Sequence, residues 1–322
     1  MVNDDCEYMN PFTCGYEAYF NCLIEFNKNI HDMCSKHIGK EMKGFSKDWS
    51  IMTTGSDARL EKGPVSPVEL VLYTYGNQND DVKEKLKDSV SSNSFVSFYD
   101  RCMEIKDVSN NVISESVFNS GLSNELKICS PNRFLDASFI FGDILYYELA
   151  KQSFLREIRS DYGKSILKKI KHRGREHLVA TKTGIQKYNK NISLLHFDVD
   201  KATSFYDPEA RLWSFKQGPL RAVQYAIVKD SLKFIRSEND ADFIFDAPRN
   251  TVQKLEFLMD ENILSLSKGG LSDLLDNYKY FLWLYHKSQW MFNKGVDVVS
   301  FDSREVRDRC KNIEEICSGS LF

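Results

Sequence analysis

Proline is scarce in this chain, net charge is nearly absent, and no apolar run is long enough to cross a bilayer. Only 7 of the 322 residues are proline, with none between Pro131 and Pro208 or after Pro248. Proline breaks helix interiors, so both intervals are open to long helices. Lys plus Arg number 43 and Asp plus Glu 46, a net charge of -3. Such a balance supplies no overall field to draw the chain to nucleic acid or anionic lipid, and neither partner is expected. The eight cysteines include no CxxC pair, which speaks against a disulfide scaffold or a structural zinc site and for reduced, mostly buried thiols. No segment approaches the roughly 20 apolar residues of a membrane span. The acidic start, MVNDDCEYMN, lacks an apolar signal core, and a cytoplasmic protein is expected. What is present is aromatic bulk, 22 Phe and 15 Tyr, which excludes disorder as the main state. At roughly 100–200 residues per domain, the length implies about two domains.

Periodicity divides the chain. Residues 17–40 carry Tyr19, Leu23, Phe26, Ile30, Met33 and Cys34 at helical steps. Residues 49–54 and 68–75 are short β-prone runs ended by Gly55-Ser56 and Gly76-Asn77. Residues 80–90 suit an exposed helix, 95–107 one or two strands, and 133–141 a strand stopped by Gly142, with a looser Asn/Ser-rich stretch before it. Beyond that, 143–178, 219–236, 249–267, 271–293 and 303–317 repeat apolar residues at helical spacing. The expected fold class is α+β: a mixed sheet with flanking helices, then an all-helical domain. The expected boundaries are a helical segment over 1–44, a mixed domain over 45–148 and a helical domain over 149–322.

The sharpest motif is TTGSDARLEKGPVSPVELVLY over residues 53–73. A strand runs into Gly55-Ser56, a polar loop follows, and a second strand begins at Glu69. Glycine lets backbone approach a phosphate, loop N–H groups and a serine hydroxyl can hold its oxygens, and Arg59 can fork onto it. A carboxylate on the next strand, Glu69, can hold Mg²⁺ against the phosphates of an NTP. The competing readings are a plain turn at Gly55-Ser56, a solvated Arg59 and a surface carboxylate at Glu69.

This stretch resembles the signature of the nucleotidyltransferase superfamily, above all the PII-protein uridylyltransferases and the related nucleotidyltransferases associated with cystathionine-β-synthase domains. In those proteins Gly-Gly or Gly-Ser leads through an Arg and a Glu to Ser-Asp-x-Asp-Leu. Gly55, Ser56, Arg59, Glu61, Ser66, Glu69 and Leu70 match, and Pro67 stands at the first metal-binding Asp. FLDASFIFGDILYYEL (134–149) resembles the family's strand-to-helix segment, with Ser138 in place of its Arg. KQGPLRAVQYAI (216–227) resembles the helix start that follows the catalytic domain, matching at Lys216, Gly218, Leu220 and Arg221, with Pro219 in place of a Gly and Ala222 in place of the Asp. His172, Arg173 and Arg175 resemble a basic helix preceding it.

The resemblance implies a nucleotidyltransferase-like sheet followed by a helical substrate-binding domain. It implies transfer of AMP or UMP from an NTP, ATP for example, to a protein or small-molecule acceptor, with Mg²⁺ as cofactor. Glu69 would be the catalytic and metal-binding carboxylate and Asp136 a further metal ligand, with Glu104 and Asp107 as other candidates. Gly55, Ser56, Arg59, Ser66, Lys216 and Arg221 would bind nucleotide. Proline carries no ligand atom, so Pro67 removes one bridging acid; Asp57 and Glu61 lie near enough in sequence to compensate. The alternative is a catalytically degenerate relative that serves as a nucleotide- or protein-binding regulatory module.

Other features carry less. The run KSILKKIKHRGR (164–175) places Lys164, Lys168, Lys171 and Arg175 on one helix face, suited to a triphosphate, RNA or acidic protein, or simply to solvent. His196 has no second histidine nearby to share a metal. Tyr278, Phe281, Leu282, Tyr285 and Trp290 read as a helix core.

Overall fold

The structure is a computed structural model that describes residues 10–44, 49–63, 70–74, 80–90, 112–116, 135–187, 193–194, 215–264, 268–293, 299–300 and 303–320. It is α+β and mostly helical. Two compact units divide it. The first comprises Met1–Asn10, Asn21–Ile166 and Arg236–Asn250; the second comprises Pro11–Phe20, Leu167–Ile235 and Thr251–Phe322.

In the first unit, β1 (Trp49–Thr53), β2 (Leu70–Thr74), β3 (Val112–Ser116) and β4 (Ser138–Gly142) form a sheet of order β3-β2-β1-β4. β1 pairs antiparallel with β2 and with β4, and β2 pairs parallel with β3. All five residues of β1 are buried, as a central strand covered on both faces requires. Helix α1 (Tyr16–Glu41) lays Ile30, Cys34 and Ile38 onto Ile51, Leu70, Leu72 and Ile140, and helix α3 (Asp80–Val90) adds Val82 and Leu86. These side chains sit at period two on the strands and at helical steps on α1, so one apolar face serves each element.

The end of β4 is fixed by glycine. Gly142 has φ +112, and a Cβ there would lie 2.5 Å from the Trp49 carbonyl oxygen. The Asp143 N–H then donates to that same oxygen at 2.8 Å. The Asp143 carboxylate accepts from the Leu145 N–H and caps helix α4 (Ile144–Arg159), which is how an Asp at this position starts a helix. α4 packs against β1, β2 and β4. It meets helix α5 (Asp161–Lys187) across the single residue Ser160.

Two expectations change here. β3 falls in the stretch read as loose, because only Val112 and Ile113 are apolar and the strand is held by parallel pairing to β2. The strands expected over 95–107 lie outside the described residues. The second unit is also not purely helical: Ser193–Leu194 (β5) pairs antiparallel with Val299–Ser300 (β6).

The helices of the second unit include α6 (Arg221–Phe234), α8 (Thr251–Asp260), α9 (Lys268–Asn293) and α10 (Ser303–Ser320); α7 (Glu238–Phe245) belongs to the first unit. Tyr278, Phe281, Leu282 and Tyr285 are buried, so that stripe is core as its spacing implies, while Trp290 is half-buried. The Gln224 amide donates to the Tyr278 hydroxyl, which donates to the Thr251 hydroxyl. Cys34, Cys310 and Cys317 are buried free thiols, and Cys14 and Cys22 are half-buried ones.

Arg309 ties this unit together. It donates to Asp276 at 2.6 Å, to Glu305 at 3.0 Å and to Asn277 at 3.1 Å, and lies 4.2 Å from the Tyr280 ring centre. Burial raises the Asp276 carboxyl, but the Tyr16 hydroxyl at 2.6 Å and Arg309 outweigh it and hold the group below its ordinary value. A carboxyl depressed by folding adds stability that is complete above its unfolded value of about 3.9 and is lost as pH falls through the lower folded value. Acid unfolding followed by circular dichroism is therefore expected to soften in Asp276→Asn, with the difference from wild type vanishing at the lowest pH.

Candidate functional site

The connection between β1 and β2 is the most constrained polar segment of the first unit. After Thr53 the backbone stays extended at Thr54, and Gly55 turns to φ +62. Residues Gly55–Ala58 then make a single helical turn, α2. A non-glycine residue at that φ would be strained. The Arg59 N–H donates to the Gly55 carbonyl and the Glu61 N–H to the Ser56 carbonyl. Leu60 follows at φ 59, and that second left-handed residue folds the chain back on the turn.

This folding buries charge. Asp57, Arg59, Glu61 and Lys62 are each below 10% exposed, with Lys62 at 0%. Burying charges is costly unless they are paired, and each of these lies beside an opposite charge. Arg59 Nε donates to Glu61 Oε2 at 3.0 Å, and Arg59 Nη1 donates to Asp136 Oδ2 at 2.8 Å. Lys62 Nζ lies 3.1 Å from Asp57 Oδ1. Asn250, brought from just before α8, donates its amide to Glu61 Oε1 and to the Arg59 carbonyl, both at 3.3 Å. Asn27 of α1 donates to the Lys62 carbonyl at 3.1 Å. Beside this network the Thr53 and Thr54 hydroxyls are buried, with no hydrogen-bond partner among the described residues.

The structure thus brings together Gly55, Ser56, Arg59 and Asp136. Ser66, Pro67 and Glu69 lie outside the described residues, as do Glu104, Asp107 and His196. Lys216 and Arg221 belong to the second unit. There Lys216 Nζ sits 5.7 Å from the Tyr285 ring centre and Arg221 donates to Gln224. They lie at the junction of a π-helical turn, Lys216–Leu220, and α6. Within that turn the Leu220 N–H reaches back five residues to the Phe215 carbonyl. Pro219 has no N–H to contribute. On α5, Lys164, Lys168 and Arg175 are exposed and Lys171 is half-buried. His172 and Arg173 both approach Glu176.

Sequence reasoning does not single out three members of the network, Asn27, Lys62 and Asn250. Lys62 carries a signal, being adjacent to the matched Glu61. Asn250 carries none, lying 189 residues from Glu61. Ser138, at the position of the family's Arg, meets His31 Nε2 at 2.9 Å. Burial first, then the Arg249 charge, lowers the His31 pKa, against a smaller pull from Asp32. At 1% exposure, Ser138 is a buried hydrogen-bonding group rather than an accessible nucleophile.

Mg²⁺ asks for near-octahedral oxygen ligands at about 2.0–2.1 Å. Asp136, the expected ligand, faces a guanidinium instead. Glu61 receives Arg59 and Asn250, and Asp57 receives Lys62. Pro67 offers no donor. Among the described residues no group of three His, Cys, Asp or Glu side chains comes together to hold a metal. The residues described here do not fit a divalent ion.

In the second unit a cleft of about 500 Å³ runs between α9 and α10, lined among others by Asp273, Asp276, Glu305, Asp308 and Arg309. Its central cation is the clamp described above. Among the described residues no helix is long and apolar enough to cross a membrane. The chain matches no protein-family model and no curated protein.

Proposed function

We propose that this chain is a nucleotidyltransferase-like protein that has lost its metal centre and works as a nucleotide-binding regulatory module without transferase activity. One observation carries the reading: Asp136, the carboxylate expected at a metal, accepts a 2.8 Å charge-assisted bond from Arg59. Losing the acid at Pro67 and engaging Asp136 with an internal cation both act against metal binding. The phosphate-facing half of the motif is kept. Gly55 opens a turn at positive φ, Ser56 follows, and the Thr54 hydroxyl is buried beside them without a partner among the described residues. The antiparallel β1–β2 pair around that turn, with β3 parallel to β2, suits a nucleotidyltransferase-like sheet, and the mostly helical second unit suits the substrate-binding part.

The second reading is an active enzyme passing AMP or UMP from an NTP to a protein or small-molecule acceptor. It is favoured by the retained Glu69 in an otherwise matching Ser-x-x-Glu-Leu stretch. The two separate in one assay. Each of the four NTPs, labelled at the α-phosphate, is incubated with the intact chain and a cell extract, with Mg²⁺ or with EDTA, and a parallel melt is recorded. The module reading expects no label on any acceptor and a higher melting temperature with at least one nucleotide in EDTA. Label transfer that needs Mg²⁺ and is lost in Glu69→Gln would establish the enzyme instead. No melting shift with any nucleotide, and no label, would end both readings.

A further inference from the structure

We propose that Arg59 is the resident cation of this loop, filling permanently the electrostatic role that a divalent ion would have between Glu61 and Asp136. The link to nucleotides rests on the function proposed above; the occupancy of the loop by a fixed cation does not.

The geometry is specific. Nε and Nη1 belong to one planar guanidinium, and they meet two different carboxylates, Glu61 at 3.0 Å and Asp136 at 2.8 Å. The two acids therefore converge on neighbouring edges of a single small cation. They come from different elements: Glu61 lies in the β1–β2 connection, and Asp136 lies 77 residues from Arg59, just before β4. Glu61 is 1% exposed and is held from its other oxygen by Asn250, itself 0% exposed. Glu61 cannot turn to water to compensate for a lost partner, and Asp136, its side chain 10% exposed, can do so only in small part. Lys62 does not substitute, since its ammonium is directed to Asp57 at 3.1 Å. A buried carboxylate and a largely buried one converging on one group demand positive charge, and a guanidinium meets that demand without a metal. Two consequences follow. Restoring an acid at Pro67 alone does not create a metal site, because Asp136 remains engaged. Removing the guanidinium uncovers a latent site for a divalent ion, a hard cation suited to oxygen ligands.

The test uses the full chain without nucleotide. Melting temperatures are measured against increasing MnCl₂, with an EDTA baseline, for wild type, Arg59→Lys, Arg59→Gln and the double variant Arg59→Gln/Asp136→Asn. Wild type and Arg59→Lys are expected to ignore Mn²⁺. Arg59→Gln is expected to melt several degrees lower in EDTA and to recover most of that loss in Mn²⁺, and the double variant is expected to lose the Mn²⁺ response. Stabilisation of the wild type by Mn²⁺ overturns the proposal. So does an Arg59→Gln chain that Mn²⁺ leaves unchanged, including one that stays unfolded when expressed and purified with Mn²⁺ throughout. Adding ATP in a parallel series separates the two claims: absence of any ATP shift removes the nucleotide reading, while the Mn²⁺ pattern still decides the cation.

Discussion

Arg59→Leu is expected to destabilise the first unit by about 3–5 kcal/mol, the usual cost of removing one partner from a buried ion pair. The loss comes less from the missing bonds than from what stays behind. Glu61 remains buried and Asp136 largely so, with the guanidinium gone from the 3.0 and 2.8 Å positions that neutralised them. Arg59→Lys keeps the charge but gives up the planar fork that meets both acids, so it should fall between wild type and Leu. Chemical denaturation followed by circular dichroism measures the ranking. A Leu variant within about 1 kcal/mol of wild type, the value of a surface pair, would show that water reaches the network. Asp136 makes a further sign test. Asp136→Asn should cost less than Arg59→Leu, because Arg59 keeps Glu61.

The second large effect is expected at the joint of α4 and α5. A Cβ on Gly163 would stand 1.7 Å from the Ile158 carbonyl oxygen and 2.5 Å from its carbon. Both atoms are backbone, so no rotamer change can relieve the clash. The joint is short, and Ser160 anchors it by accepting the Gly163 N–H at 2.9 Å and donating its hydroxyl to the Glu157 carbonyl at 2.7 Å. Gly163→Ala must therefore shift one helix against the other, at a cost of about 3 kcal/mol, the upper range for overpacking. Gly269→Ala is the control. A Cβ on Gly269 would meet no atom within 4 Å. The residue sits in the first turn of α9, and alanine there is expected to be neutral or to stabilise by up to about 1 kcal/mol. Equal melting temperatures for the two variants would contradict the tight packing at the α4–α5 joint.

Much of the framework is legible because it is written locally. WSIMT and LVLYT are β-prone runs bounded by turn residues, and they form the antiparallel β1–β2 pair. The stripe Tyr278, Phe281, Leu282 and Tyr285 repeats at helical steps and is buried. β3 is not legible, since Val112-Ile113 among polar residues gives too short a period and its pairing comes from β2, about 40 residues earlier. The β5–β6 pair joins segments that share no local signal at all.

The site divides in the same way. The Gly55 turn can be read from the strand, glycine and polar loop in succession. The fate of Arg59 cannot. A loop arginine beside a possible phosphate site reads as a phosphate ligand, and only the fold brings Asp136 and Asn250 to it. Asp136 reads from sequence as an acid within a strand, but β4 begins only at Ser138, and which cation Asp136 meets is a tertiary fact. Pro67 remains informative from sequence alone, because proline lacks a ligand atom whatever its surroundings.

The central proposal is that this loop binds nucleotide without a metal, its two converging acids being neutralised already by Arg59. Calorimetric titration of ATP into the intact chain, once with Mg²⁺ and once with EDTA, tests it most directly. The account predicts the same dissociation constant in both buffers, whereas binding that appears only with Mg²⁺ would contradict it.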